Sequence, residues 1–466
     1  MNASPLWAAE EAAAATGGRA TRGWTAAGVS IDSRSVAAGD LFVALKGPRF
    51  DAHDFVGDVL AKGAAAIVHR GFAAGPAAEA GAGPVIAVAD TLQALQDLAH
   101  AIRKATKTRV VAITGSAGKT TTKETIAAFL GTRLRVVKNK GNLNNHIGLP
   151  LSLMQLRTEP DVAVMELGMN HAGEISTLVA IAEPDVRVWT NVGDAHIGFF
   201  ASPDAIADAK AEILERAGAG DVLVCNADDP RVMARVSRFA GRVVTFGSAS
   251  TATVRASEIE DLGVRGMRAR VATPAGERVI TTPLLGRGNL LNVLAATAVA
   301  LQFGLGLDRI TDSAAGLQPA DRRGAVRRLR GAVTLIDDSY NSSPSALKRS
   351  LEVLGHERAA RRRVAVLGEM LELGAHARAL HEECGRAAAA AGVDVLFVIG
   401  GDAARALAKA AVAAGMGPTA VHYFETSDAA ANAVAKALAD GDVVLVKGSR
   451  GIRTDVVADR IVVERG

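Results

Sequence analysis

Val110-Val111-Ala112-Ile113-Thr114-Gly115-Ser116-Ala117-Gly118-Lys119-Thr120-Thr121 is the stretch around which the chain is organised. An apolar, β-branched run, a glycine turn and the periodic segment Lys123 to Leu130 read together as strand, loop and helix N-terminus. Gly115 and Gly118, with the small residues Ser116 and Ala117 between them, let backbone N–H groups turn inward around phosphate oxygens. Lys119 supplies a point charge, the Thr120 hydroxyl is placed to hold Mg²⁺, and Thr121 carries the helix on. The spacing is the short form G-x-x-G-K-[ST], because Ile113 stands where the longer pattern has a glycine. The context of strand before and helix after makes this a nucleoside triphosphate site.

Outward from that loop, the central part of the chain alternates strand and helix. Thr91 to Lys104 has the pattern of an amphipathic helix leading into the loop strand, which puts a domain boundary near residue 90. Val162-Ala163-Val164-Met165 reads as a buried strand ending at Glu166, and Val186 to Thr190 as another, ending in Asn191-Val192-Gly193-Asp194-Ala195-His196. Ligands of open parallel sheets lie beyond the carboxyl ends of the strands, so Thr120, Glu166 and His196 are expected at one crevice. Mg²⁺ takes hard oxygen ligands together with substrate phosphates, and an acid at a strand end is its usual protein anchor. Glu166 has helix capping as its plainer alternative, and His196 gains its interest from position alone.

Val222–Cys225 continues the sheet, and Met267 to Val271 with Arg278 to Thr281 reads as a hairpin in an antiparallel annex. Gly286-Arg287-Gly288-Asn289-Leu290-Leu291-Asn292 then opens an Ala-rich helix through Leu301. Asn289 and Asn292, three apart, share a helical face on which amides can read a nucleobase or phosphate, although asparagines opening a helix are equally caps.

The flanks differ in texture. Before residue 90 the pattern is small and mixed, with strands at Leu41–Leu45, Ala65–Val68 and Val85–Val88 and a helix from Asp54 to Lys62. Its loops hold Asp32-Ser33-Arg34 and Phe50-Asp51-Ala52-His53-Asp54, which are either turn and cap chemistry or a grip for a diphosphate or base edge. After Pro319 to Gly324 the alternation restarts, with strands at Val333–Ile336, Val364–Leu367, Val395–Ile399 and Val443–Val446. Their polar ends and the lack of a G-x-G-x-x-G suit a second doubly wound unit serving as a lid or acceptor domain. The expected fold is therefore α/β in three domains: a small mixed domain at 1–89, a central phosphate-loop domain with its annex at 90–320, and a Rossmann-like domain at 321–466.

Composition narrows the class of partner. The 53 Lys and Arg residues of the 466-residue chain are nearly matched by 49 Asp and Glu, so no nucleic-acid-scale field arises, and Arg361-Arg362-Arg363 reads as the solvated flank of a strand. Cys225 and Cys384 lack metal-ligand spacing and suit a reducing cytosol as buried small residues. Met1 to Ala20 carries Glu10 and Glu11 and has no basic start before an apolar core, so no signal peptide is expected; nor does any stretch reach the roughly 18 apolar residues of a membrane span. A cytoplasmic, monomeric protein with anionic small-molecule substrates is expected.

Five segments taken together resemble the Mur ligase family, ATP-dependent enzymes that extend the peptide of the peptidoglycan precursor. They are Thr114 to Glu124, the run Gly141-Asn142-Leu143-Asn144-Asn145-His146-Ile147-Gly148-Leu149-Pro150, Asp337-Asp338-Ser339-Tyr340-Asn341-Ser342-Ser343-Pro344, Leu367-Gly368-Glu369-Met370-Leu371-Glu372-Leu373-Gly374 and Lys447-Gly448-Ser449-Arg450-Gly451. The resemblance runs from about residue 30 to residue 451 and is strongest to members that add D-alanyl-D-alanine to UDP-MurNAc-tripeptide.

The resemblance implies ATP and Mg²⁺ as cofactors, with Lys119 on the ATP phosphates and Thr120 and Glu166 on one Mg²⁺. It implies that Lys210 is carbamylated, with His196 beside it at a second Mg²⁺; read from the residues alone, Lys210 is an exposed helical lysine. It further implies ATP contacts at Asn289 and Asn292, a phosphate-facing Arg323, a ribose or phosphate contact at Asp338, and the uridine nucleotide end at Ser33 and Arg34. Two positions depart from the family pattern: Gly288 stands where His usually precedes the asparagine pair, and Arg322 where Gly usually precedes the arginine. Two rivals are set against the adding reaction. A folylpolyglutamate-type ligase would lack the Asp32-Ser33-Arg34 domain, and a non-ligating nucleotide switch would want an Asn-Lys-x-Asp signature that is missing.

Overall fold

The computed structural model describes residues 6–73 and 83–466, so the first five residues of the Met1–Ala20 stretch lie outside the described residues. The chain packs into two compact units that interleave along the sequence. One comprises Met1–Ala112, Arg133–Met169 and Gly173–Val186, and the other Ile113–Thr132, Asn170–Ala172 and Arg187–Gly466. The strand Arg109–Thr114 carries the chain from the first into the second.

The first unit contains a five-stranded sheet in the order Arg19–Ala20, Val85–Val88, Ala65–His69, Asp40–Val43, Gly28–Ser30. Its first pair is antiparallel and the others parallel. Ala65–Val68 and Leu41–Val43 are apolar throughout and buried throughout, as parallel strands covered on both faces must be. Phe42, Ala66, Val68 and Val85 pack there against Val56 and Val59 of the helix Val56–Ala61.

The helix Thr91–Ala105 starts where Asp90 accepts the free N–H groups of Leu92 and Gln93 at 2.8 and 3.1 Å. It buries Ala94, Leu95, Leu98, Ala99 and Ile102, a stripe at helical spacing. Farther on, Val162–Glu166 runs parallel to Val136–Lys138, in the register Val162↔Val136.

In the second unit Val222–Asn226, Arg242–Gly247, Val254–Asp261, Met267–Thr273 and Gly276–Thr282 are successive neighbours. The first two pairings are parallel and the last two antiparallel, so the expected hairpin is present, its register closing at Thr273↔Gly276. A second sheet orders six strands as Ala325–Arg328, Thr334–Asp338, Asp442–Lys447, Arg362–Gly368, Val395–Ile399 and Val421–Phe424. The last strand in the chain thus lies between the second and third, and all pairings but the outermost on the Ala325–Arg328 side are parallel.

Leu335, Val364, Val366, Phe397, Val444 and Val446 of this sheet pack on Ala430, Val434, Val457 and Ile461. Ala365, Leu367, Leu396 and Leu445, one residue out of phase, are buried on the other face. The edge strands Ala325–Arg328 and Val421–Phe424 carry arginine, histidine and tyrosine, and so lack the apolar signal of the central four. Arg362 is not the solvated flank expected: it forks onto both oxygens of the buried Asp442, at 2.9 and 2.6 Å.

Candidate nucleotide and ligase site

The loop of the second unit is built by close approach. Gly115 has φ +148°, and a Cβ there would lie 1.9 Å from Thr190 Oγ1; Gly118 has φ +83°, with Asn292 Oδ1 2.3 Å from the same position. Neither place admits a side chain. Strand-end residues brace the turn: Thr190 Oγ1 donates to the Ala117 carbonyl at 2.7 Å, and the Asn191 amide both accepts from Ala117 N–H and donates to its carbonyl, at 2.9 and 3.0 Å. Ser116 Oγ accepts Gly193 N–H at 2.8 Å. Lys119 opens the helix Lys119–Leu130 and reaches back to the Gly115 carbonyl at 2.8 Å. The first N–H groups of that helix and the positive end of its dipole therefore face the turn.

The asparagine pair is a continuous polar chain. Thr122 Oγ1 donates to Asn292 Oδ1 at 3.2 Å, Asn292 Nδ2 donates to Asn289 Oδ1 at 3.1 Å, and Asn289 Nδ2 donates to the Leu285 carbonyl at 2.9 Å. Buried Asn292 thus holds the loop helix against the helix Gly286–Gln302, while half-buried Asn289 stands nearer solvent.

Lys210 corrects the reading of an exposed helical lysine, since only 2% of it is accessible at the end of the helix Pro203–Ala211. Burial, with the Lys119 charge nearby, pushes its pKa well below the ordinary lysine value and favours the neutral amine. His196 has φ +65°, and its Nδ1 lies 2.6 Å from Glu372 Oε2. Burial and Lys119 lower the His196 pKa, the nearby Lys210 adds to this, and Glu372 opposes it. Lys119, Lys210, His196 and Glu372 therefore form one electrostatic neighbourhood.

At the mouth of the six-stranded sheet, register sets Asp338 beside Lys447, whose Nζ donates to Asp338 Oδ2 at 2.6 Å; Ser350 Oγ adds a bond to the same oxygen at 2.9 Å. The two neighbouring arginines divide in role. Arg322, in the left-handed region at φ +54°, forks onto both oxygens of Asp459 at 3.0 Å. Arg323 makes no ion pair among the described residues and lies 4.1 Å over the Tyr340 ring, which Arg450 also faces at 5.7 Å.

In the first unit, 4%-exposed Glu166 is held at its backbone and its side chain. Its N–H donates to Asn139 Oδ1 at 3.0 Å and its Oε1 accepts from Asn144 Nδ2 at 2.9 Å. Arg34 closes its fork on Asp32 at 2.9 and 2.7 Å, which holds the Asp32 carboxyl down at about 2, and the Ser33 carbonyl accepts from Lys62 at 2.7 Å. Glu372, Lys447, Tyr340 and Asn144 were given no role by sequence reading, although each lies in a segment that carries the family resemblance. Thr190 was read only as a strand end.

The whole chain has close counterparts. The Mur ligase family catalytic domain matches residues 25–103, the Mur ligase middle domain residues 113–300, and the Mur ligase glutamate ligase domain residues 322–450. The UDP-N-acetylmuramoyl-tripeptide--D-alanyl-D-alanine ligases of Bacillus subtilis and Escherichia coli are 34% and 36% identical, over 93% and 92% of both chains. The chain belongs to the Mur ligase family. Among solved Mur ligases, MurF from Acinetobacter baumannii superposes with a TM-score of 0.88 at 32% identity, covering 99% of this chain and 100% of that one. MurF from Thermotoga maritima in complex with ADP gives 0.82 at 30% identity, covering 94% and 97%. As in that family, the fold is α/β with several parallel-sheet domains. No helix among the described residues is long and apolar enough to cross a membrane.

Proposed function

We propose that this Mur ligase adds D-alanyl-D-alanine to UDP-MurNAc-tripeptide at the expense of ATP, completing the pentapeptide precursor of peptidoglycan. The reading rests on one observation: relatives named for that reaction match nine-tenths of the chain, across a phosphate loop braced by Thr190, Asn191 and Asn292. Residues 1–89 are assigned to the uridine nucleotide, through Ser33 and Arg34; 90–320 to ATP; and 321–466 to the acceptor side. Three family domains match in the same order along the chain, at 25–103, 113–300 and 322–450. The enzyme is taken to be a cytoplasmic monomer that supports cell-wall growth, cell shape and division.

The terminal carboxylate of the tripeptide attacks the γ-phosphorus of ATP, forming an acyl phosphate and releasing ADP. The dipeptide amine then attacks the acyl carbon, phosphate leaves, and the amine gives up its proton. No enzyme nucleophile is needed. Lys119, the helix N-terminus behind it and Arg323 balance phosphate charge, and the loop holds the triphosphate in line. Asn289 and Asn292 line the nucleotide, and Asp338, whose Oδ1 has no partner among the described residues, is the acceptor offered to its ribose.

Mg²⁺ fits the donors present. No group of three or more His, Cys, Asp and Glu side chains among the described residues could hold a metal, so a cation would depend on phosphate oxygens and hydroxyl or carboxylate donors. Thr120 and Glu166 are assigned to one ion; a carbamate on Lys210, with His196 beside it, is assigned to a second. Burial favours the neutral amine of Lys210, which is the form that adds CO₂. When bound, the ions would neutralise charge on the transferred phosphoryl group.

Phosphate release measured with UDP-MurNAc-tripeptide, with and without D-Ala-D-Ala, tests the proposal. Turnover is expected only with both, and ATP hydrolysis indifferent to either would leave a nucleotide switch in its place.

A further inference from the structure

Gly288 leaves room beside the asparagine pair, and a second residue fills it. Gly288 lies in the first turn of the helix Gly286–Gln302, one position before Asn289. A Cβ at 288 would lie 3.5 Å from Cδ and 3.6 Å from Nε of Arg349, so the arginine stem and the start of its guanidinium cross over the glycine in van der Waals contact. Arg349 belongs to the helix Pro344–His356, and its neighbour Ser350 donates to Asp338. Arg349 thus lies against the turn that leads into the asparagine pair.

Its surroundings set it apart from other arginines of this unit. Arg187, Arg235, Arg322 and Arg362 each give a hydrogen bond to an aspartate, at 2.8, 2.9, 3.0 and 2.9 Å. Arg349 is half-buried yet makes no hydrogen bond or ion pair among the described residues. Asp194 and Glu352 act on it only through space, and burial lowers its pKa, the mark of a cation taken partly out of water without a bonded partner. Donors removed from water without acceptors are destabilising, so they are expected to meet one in the working complex.

Asn292 touches Gly118 of the phosphate loop. Gly288 lies four residues back along the same helix, about 6 Å of helical rise from that contact, and directly precedes Asn289.

We propose that Arg349 is a nucleotide-binding residue of this enzyme, seated over Gly288 and donating hydrogen bonds to acceptors of the bound nucleotide beside the asparagine pair. The contact deepens the ATP reading above and rests on it. Replacing the side chain removes charge-assisted donors from the bound nucleotide.

The test combines steady-state kinetics with calorimetric ADP binding on full-length Arg349→Ala and Arg349→Lys. Arg349→Ala should raise KM for ATP and Kd for ADP by about tenfold or more, with KM for UDP-MurNAc-tripeptide and D-Ala-D-Ala within twofold of wild type. Arg349→Lys should fall between. Unchanged ADP affinity in Arg349→Ala, or an equal rise in all three KM values with a lowered melting temperature, would overturn the assignment by leaving the residue a packing role. Failure of the wild-type protein to bind ADP would overturn the ATP reading as well, so the two failures are distinguishable.

Discussion

Lys210 shows how far one side chain's surroundings change its chemistry. A lysine that is 2% accessible keeps its proton poorly, and an isolated ammonium would be severely destabilising there. Lys210→Met, similar in length and apolar, should therefore melt at or above the wild-type temperature, while turnover falls by about 10–100-fold or more. Calorimetry and phosphate release on the same preparation read the two effects, and a fully active Met variant would deprive Lys210 of its assigned part.

The cysteines give the opposite lesson. Burial pushes both the Cys225 and Cys384 thiols up to about 12, so almost no thiolate exists at pH 8. A disulfide reagent should label neither thiol in the native enzyme at pH 8 and both in guanidinium. Native reactivity should emerge only as the pH rises toward 12, where the protonated form favoured by folding is lost.

Among the elements, the loop and its helix are set by conformations that only glycine accepts freely. Gly118→Ala would place a Cβ 2.3 Å from Asn292 Oδ1 in a left-handed backbone. The backbone strain alone amounts to about 1–2 kcal/mol. The Asn292 amide would have to move, loosening its bonds to Thr122 and Asn289. A lower melting temperature together with weaker ADP binding is expected; loss of stability with intact ADP affinity would show that the asparagine brace does not govern the loop. The six-stranded sheet depends instead on long apolar strands. Its central four were readable because each carries a run of Val, Ile, Leu, Ala or Phe, whereas the two edge strands alternate with charged or aromatic residues and were missed.

For the whole molecule, nucleotide binding should act as a stabilising linkage. ADP at a hundred times its dissociation constant adds about 2.7 kcal/mol to the state that binds it. A thermal scan should show that rise for the wild type and little of it for Lys119→Ala, which loses the bond to the Gly115 carbonyl and the charge at the loop. A full ADP shift in Lys119→Ala would place the nucleotide elsewhere. The two compact units interleave through residues 113–132 and 170–172, so a chain cut near residue 90 or 320 would not coincide with either unit.

Local sequence was enough for what depends on neighbours along the chain. It determined the glycine loop between a β-branched strand and a helix, the alternation of strand and helix, the annex hairpin at Met267–Thr273 and Gly276–Thr282, and the place of Lys119 and Thr120 at the opening of the loop helix. Only the tertiary structure decided which of Arg322 and Arg323 is consumed by Asp459, that Glu372 meets His196 across 176 positions of sequence, and that Lys210 lies in the dark. It alone laid Arg349 over Gly288. Helical and strand periods tell which face of an element is apolar; they carry no record of what long-range packing brings against it, and charge, burial and hydrogen bonding are set by that partner.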